Sequence, residues 1–307
     1  MHKLKLTYIL IFFSGFIYAQ PDILTRDKSL DYVLIYRDCL VCNPIEKNVP
    51  VEKDYFDKYG FHIKKDYLDS LMKPDGRTIY DYKNDKIYSI EYYTTYTSNP
   101  PDFNDSYWDS TKIAQKVVYE YKANRLKKVN WFHDNRLDFV IVFEYNKSNQ
   151  VIKEIETEYS YPNVFKFQAF KPNSAEFMNS IKMYGNSTRI KNYDYHASTC
   201  MITYSVNSKQ TGFESLTFDD KNKISSRIIT NTQNDTLLSE KLIYDNKGRL
   251  VEKHLHETGY TAFGRIYDYL GYNKIIYVYD SDNRLIKEEK YYKNRLSIIE
   301  KYKYFKK

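Results

Sequence analysis

The sequence predicts an all-β protein: an antiparallel β-meander of repeated hairpins forming a long, twisted or curled sheet. Three observations predict it. One phrase (an aromatic residue, a polar turn, a basic residue, an aliphatic) recurs seven times along the 307 residues. Tyrosine occurs 34 times, and its ring suits a half-buried pleated face while its hydroxyl stays wet. The connections between apolar runs are short and built from Asn, Asp, Lys and Gly, and with 9 glycines and 8 prolines the chain shows no flexible linker. A repeat of this length means that each unit buries its apolar face on its neighbours.

The chain opens with a segment that reads as a secretory signal. Lys3 and Lys5 precede an apolar run, Tyr8 to Phe13, and Ile17-Tyr18-Ala19 offers a cleavage site before Gln20. The run is shorter than the roughly 20 residues of a membrane-spanning helix, and no cysteine stands at the cleavage site for lipid attachment. Residues 1–19 are read as the signal peptide. The mature chain is expected to be exported (periplasmic, cell-surface or secreted), with no membrane insertion after cleavage. The formal charge is +7. Lys alternates with Glu and Asp instead of clustering, so no nucleic-acid partner is expected.

Residues 20–75 form a non-repeat N-terminal segment. It holds an apolar run, Tyr32-Val33-Leu34-Ile35-Tyr36, and then Cys39 and Cys42. From Glu52 to Leu71 the spacing of Tyr55, Tyr59, His62 and Ile63 predicts a helix with those four on one face. Lys73-Pro74-Asp75-Gly76-Arg77 is a turn signal that leads into the repeat domain, residues 76–307.

Successive strands follow. Thr78 to Tyr82, Ile87 to Thr97, Ile113 to Tyr121, Leu126 to Phe132, Asp138 to Tyr145 and Val151 to Tyr159 are rich in aromatic and β-branched residues. Leu126 to Leu137 spans 11 residues, as does Leu285 to Leu296, the length of one strand plus a tight turn. The 26 residues from Ile224 to Leu250 hold two further strands. Between Tyr161 and Thr211 the pattern is worn. There Tyr184 to Ile190 reads as a degraded copy, Met201 to Val206 as a strand, and Phe170 to Met178 as a loop or short helix. The total comes to about 14 to 18 strands.

The sharpest copies of the phrase are Tyr244-Asp245-Asn246-Lys247-Gly248-Arg249-Leu250 and Tyr279-Asp280-Ser281-Asp282-Asn283-Arg284-Leu285. Looser ones run from Tyr119 to Leu126, Phe143 to Val151, Phe218 to Ile224, Tyr80 to Ile87 and Tyr292 to Leu296. Asp245 is placed to bond forward to the backbone, and Gly248 supplies the positive φ that closes a bulged hairpin. Asn283, Asn294, Asn124 and Asn135 stand where that Gly stood, and Asn is the non-glycine residue best suited to the left-handed region. The basic residue is expected to face solvent and the aliphatic to return to the core face. Every position in the phrase then has a structural duty.

Tyr-Asp-x-x-Gly-Arg-Leu at Tyr244 to Leu250, with its variant at Tyr279 to Leu285, resembles the YD repeat, also called the RHS repeat, of bacterial exported proteins. Matches cover residues 112–158 and 212–307. The resemblance implies a β-meander of hairpins used for packaging, adhesion or partner binding. The units are too few to enclose a toxic domain, as large members do, and the last lies at Tyr302-Lys303-Tyr304-Phe305, so a lone repeat module is the expectation.

Few residues suggest chemistry. Cys39-Leu40-Val41-Cys42 has the spacing of a redox pair, whose first thiol a helix starting at Asn43-Pro44 would acidify. A local structural disulfide and unpaired thiols are the other readings. Cys200 reads as a small buried hydrophobe. Glu252, His254 and His256 share one strand face, which lets two imidazoles meet a metal but names no third ligand; solvated edge-strand residues are the plainer reading. His62, His133 and His196 stand isolated, and Asp219-Asp220 reads as a turn face. The Gly-x-Ser-x-Gly, His-Glu-x-x-His and phosphate-cradling glycine motifs do not occur. Tyr92, Tyr93 and Tyr96, with Tyr107 and Trp108 near, offer rings for stacking on a sugar or a protein; the alternative is that these are core and cross-strand ladder residues.

No catalytic, cofactor-binding or metal-ligating residue is assigned, and no cofactor is expected. The reading is an exported, non-catalytic module that binds a protein or a cell-surface glycan. The alternative is a periplasmic or surface enzyme working through Cys39 and Cys42 or through a carbohydrate-active site.

Overall fold

The computed structural model describes residues 28–42, 44–69, 71–94, 113–133, 135–159, 187–257, 260–261, 264–265 and 272–307. The chain begins with β1 (Leu30–Cys39), β2 (Glu46–Phe56), β3 (His62–Leu68), β4 (Pro74–Lys83) and β5 (Lys86–Thr94). Then come β6 (Ile113–Lys122), β7 (Arg125–His133), β8 (Arg136–Tyr145), β9 (Val151–Glu158) and β10 (Ser187–Tyr195). β11 (Thr199–Val206), β12 (Lys209–Phe218), β13 (Ile224–Asn231), β14 (Thr236–Tyr244) and β15 (Leu250–Glu257) continue the series. β16 (Tyr260–Thr261) and β17 (Gly264–Arg265) pair only with each other, and β18 (Tyr272–Tyr279), β19 (Leu285–Tyr292) and β20 (Arg295–Lys306) finish it.

The other 18 strands make one antiparallel sheet in which each pairs with the next, β15 with β18, and β20 returns to pair with β1. The sheet therefore closes into a barrel and keeps no free edge. At the seam, Lys307 N–H donates to the Ser29 carbonyl at 2.9 Å, and the Arg37 guanidinium meets Glu300 at 2.6 Å.

Alternation gives the wall two chemistries. The inner face holds three apolar clusters: one around Trp131, Tyr119 and Ile141, one around Cys200, Ile202 and Leu238, and one around Leu30, Val33 and Phe56. The outer face carries charge at mid-strand on most strands, including Lys116, Lys128, Lys241, Lys287, Glu252 and Glu289, all partly or fully exposed.

Seven connections share one geometry: Asp57, Asp69, Asn146, Asp219, Asn231, Asp245 and Asp280 each open a five-residue turn. In each, the first N–H donates to the fifth carbonyl and the fourth N–H donates back to the first. The fourth residue takes positive φ, at Gly60, Met72, Asn149, Asn222, Asn234, Gly248 and Asn283. Gly248, at φ 78°, and Asn283, at 65°, are where the phrase placed them. Asn124 and Asn294 also take positive φ (66° and 63°), but in two-residue turns, Ala123-Asn124 and Lys293-Asn294. The single turn read from sequence is thus two turn types that share a left-handed Asn.

Three expectations are corrected. Residues 52–71 are no helix: β2 and β3 form a hairpin about Asp57-Lys58-Tyr59-Gly60, a copy of the repeat turn that the helical spacing of Tyr55, Tyr59, His62 and Ile63 hid. Residues 73–77 are no turn either. The turn is Asp69 to Lys73, and Pro74 begins β4, where a strand tolerates a missing N–H. The basic residue of the phrase faces solvent at Arg125 and Arg295, whereas Lys223, Arg249 and Arg284 are half-buried, and Arg125, Lys223, Arg249 and Arg284 each lie over the next repeat's ring, as described below. The described part of 20–75 joins the same sheet through β1, β2 and β3. Phe170 to Met178 lies outside the described residues.

Candidate functional site

Consecutive antiparallel strands place their connections at alternate ends. The terminal end carries Lys28 and Lys307 and the turns after β2, β4, β6, β8, β10, β12, β14 and β18. The loop end carries the turns after β1, β3, β7, β11, β13 and β19, and the connections 95–112, 160–186 and 258–271 leave from it.

At the terminal end the repeats are wired together. Tyr145, Tyr244, Tyr279 and Tyr304 donate their hydroxyls to the carbonyls of Leu126, Ile224, Leu250 and Leu285 at 2.7, 3.0, 2.9 and 2.7 Å. Each acceptor is the aliphatic residue of the preceding repeat. The basic residue just before it lies over the same ring: Arg125, Lys223, Arg249 and Arg284 stand 5.7, 5.1, 4.7 and 5.6 Å from the centroids. The phrase is a joint between neighbours.

Inside, ion pairs link successive strands. Lys191 meets Glu154 at 2.9 Å, Arg227 meets Glu214 at 2.6 Å, and Lys253 meets Glu240 at 2.9 Å. Lys290 meets Glu300 at 2.9 Å, and Lys65 meets Glu52 at 2.6 Å. Tyr193 and Tyr302 donate to Glu154 and Glu288 at 2.9 and 2.8 Å, and Arg189 pairs with Glu156 and Tyr204 with Glu214. Burial raises Glu156 and Glu288 above the ordinary carboxyl range. In Glu300 burial works the same way, but Lys290 and Arg37 outweigh it and hold the group low. These acids are matched to fixed partners, an arrangement that specifies register.

The residues singled out in the sequence scatter. Cys39 and Cys42 are disulfide-bonded at the tip of the β1–β2 hairpin, at the loop end. Cys200 lies in the interior, where burial, with Glu214 near, pushes its thiol up to about 12. Glu252 and His254 lie on the outer wall 2.6 Å apart, and among the described residues no three His, Cys, Asp or Glu gather to hold a metal. His62 is not isolated: its Nε2 is 3.0 Å from Asp54, and its ring stands 4.4 Å from that of Tyr80. His196 faces Asp194 at 3.4 Å, and His133 is exposed. Asp219 accepts the N–H groups of Lys221 and Lys223 within its own turn. Tyr92 and Tyr93 fall on opposite faces of β5, Tyr92 packing edge-on to Tyr67 inside and Tyr93 bonding Glu91 outside. Consecutive strand residues cannot form one stripe. Tyr96, Tyr107 and Trp108 lie outside the described residues.

The sequence reading missed a different set. Among the described residues, five large apolar side chains are more than half exposed. Four of them stand on two neighbouring hairpin turns of the loop end: Val41 at 64 %, Ile45 at 60 %, Leu71 at 72 % and Met72 at 52 %. Asp69 holds the second turn by accepting the N–H groups of Leu71 and Lys73 at 2.9 and 2.8 Å, and the disulfide holds the first. Two turns are thus kept rigid while their apolar residues face water.

No protein-family model matches the chain, and no curated protein does. Among solved structures, the chain is similar to a porin-like protein from Bacteroides uniformis. The two share 10% identity with a TM-score of 0.38, over 93% of this chain and 100% of that one. It is also similar to the TcdB2-TccC3-TEV structure, with 12% identity and a TM-score of 0.33 over 82% of this chain. A third is the Photorhabdus luminescens Tc holotoxin pore, with 10% identity and a TM-score of 0.21 over 81% of this chain. The chain spans 12% of the length of TcdB2-TccC3-TEV and 14% of the holotoxin chain. TM-scores this low do not establish a shared fold.

Proposed function

We propose that this is an exported, non-catalytic interaction module of the bacterial envelope or surface, a short and degenerate relative of the YD-repeat proteins, which binds through the loop end of its barrel. The cluster of Val41, Ile45, Leu71 and Met72 carries the reading. Leaving such side chains in water is unfavourable, and large apolar side chains exposed on two neighbouring turns mark a contact surface. Among the described residues the interior side chains are engaged in ion pairs and packed rings. The leader-like segment before Gln20 supports export. Thiol redox exchange gains nothing from the setting of Cys39 and Cys42, since a hairpin tip has no helix dipole to acidify a thiol.

The test is capture by the chain beginning at Gln20, which retains every described strand, from an envelope extract and on a glycan array. It is run beside the Val41→Asp/Leu71→Asp variant. The reading requires a captured component that the variant loses while its circular dichroism is unchanged. Equal capture by both forms would place the binding surface elsewhere.

A further inference from the structure

Building on that reading, we infer that the loop end docks on an anionic lipid surface, its apolar turn tips dipping between headgroups while the charged wall stays in water.

The turn at Asp69 breaks a local rule. In the other six five-residue turns the left-handed fourth position is Gly or Asn; here it is Met72, at φ 62°. Left-handed backbone is costly for a side chain such as Met, and Asn or Gly would relieve it. A strained choice that also puts a large thioether side chain in water is expected where a contact outside the fold uses it.

The chemistry of the four tips selects the partner. Together they expose a few hundred Å² of apolar surface, the scale of a single patch on a monomer. That is well short of the roughly 800 Å² per partner of a stable protein–protein interface, so a second copy or a globular partner is not held by this surface alone. Protein hot spots favour Trp, Tyr and Arg over Leu and Val, and sugars stack on ring faces. Among the described residues the two tips carry no ring, and Tyr292, exposed at this end, lies under Lys293 Nζ at 5.2 Å. Aliphatic tips dissolve in acyl chains without needing such geometry.

Charge agrees. Lys47, Lys73, Arg136, Lys209, Lys293 and Arg295 are exposed at the loop end. Among the described residues, Glu46, Asp69, Asp138, Glu158 and Asp235 stand against them, and Glu158 is held by Arg189 at 2.8 Å. Asp69 is engaged by its own turn, and Asp235 accepts from the Asn231 side chain at 2.8 Å. Apolar tips in a cationic rim match an anionic leaflet.

The test is sedimentation of the chain beginning at Gln20 with vesicles, since the apolar run Tyr8 to Phe13 would itself partition. Phosphatidylglycerol mixed into phosphatidylcholine is compared with phosphatidylcholine alone. Binding is expected to the anionic vesicles, weakened by salt, and lowered about tenfold or more in Val41→Asp/Leu71→Asp. Met72→Asn relieves the turn, so it should melt no lower than the parent and yet bind several-fold less. No binding by the parent, or equal binding by parent and both variants, overturns the lipid assignment. If that occurs while the double variant loses a captured protein or glycan, the loop end stands as a binding surface with another partner. If capture is unchanged as well, the proposed function falls with it.

Discussion

Tyr279 donates its hydroxyl to the Leu250 carbonyl at 2.9 Å while Arg249, the residue before that carbonyl, lies 4.7 Å over its ring. One side chain thus reads two consecutive residues of the preceding repeat. Tyr279→Phe keeps the ring and strands the acceptor. It should cost about 1 kcal/mol in urea unfolding, the net worth of one hydrogen bond. Adding Arg249→Ala should cost less than the two single changes summed, because they share a partner. Additive costs would show that the joint does not act as a unit.

Gly248 has φ 78°, and a Cβ there would meet Lys223 Nζ at 2.9 Å, the movable end of a long side chain. The backbone, more than the clash, therefore sets the cost of substitution. Gly248→Val should destabilise by about 1–2 kcal/mol, and Gly248→Asn by much less, since Asn283 already serves at the equivalent site with φ 65°. Equal losses in the two variants would refute the backbone account.

Stability should fall in acid. Burial alone would raise Asp54, Asp66 and Glu300, but Lys65, Arg77 and Lys290 respectively lead the contacts that hold them below their ordinary values. A carboxyl lowered in the folded state stabilises above its unfolded pKa and loses that contribution as pH falls through its folded one. Glu156 and Glu288, raised by burial, act in the opposite sense. Asp38, Asp245, Glu91 and Glu289 add to the lowered set. The melting temperature should therefore drop between about pH 5 and pH 3; a flat or rising profile there would contradict the balance.

Glu300 lies between Arg37 and Lys290 at the closure, 2.6 and 2.9 Å away. Glu300→Gln leaves two cations without their carboxylate and should destabilise by on the order of 3 kcal/mol. Pulsed hydrogen exchange should show β20 and β1 losing protection first. Loss spread evenly round the barrel would deny this pair its special place at the seam.

The disulfide closes a ring of only four residues, so it constrains the unfolded chain little. Cys39→Ser/Cys42→Ser should fold with a modest loss in melting temperature. Cooperative unfolding on reduction alone would show that the hairpin tip carries far more of the stability.

The strands and most of their turns were legible in the order of residues, because period-two alternation and the demand for positive φ are local. Gly248 and Asn283 needed no neighbours to be recognised. Long-range pairing was not legible. Closure depends on β20 meeting β1 after the whole chain has run its course, and no local pattern records that Arg37 will face Glu300. The helix read over residues 52–71 failed for a related reason. Tyr55, Tyr59, His62 and Ile63 fit a helical period by chance, and the hairpin won because β1 and β4 offered it ladders on both sides. The loop-end surface was hidden most deeply. Val41, Ile45, Leu71 and Met72 are ordinary apolar residues in sequence. Whether an apolar side chain is core or contact surface depends on what the folded chain brings over it, and among the described residues nothing buries these four.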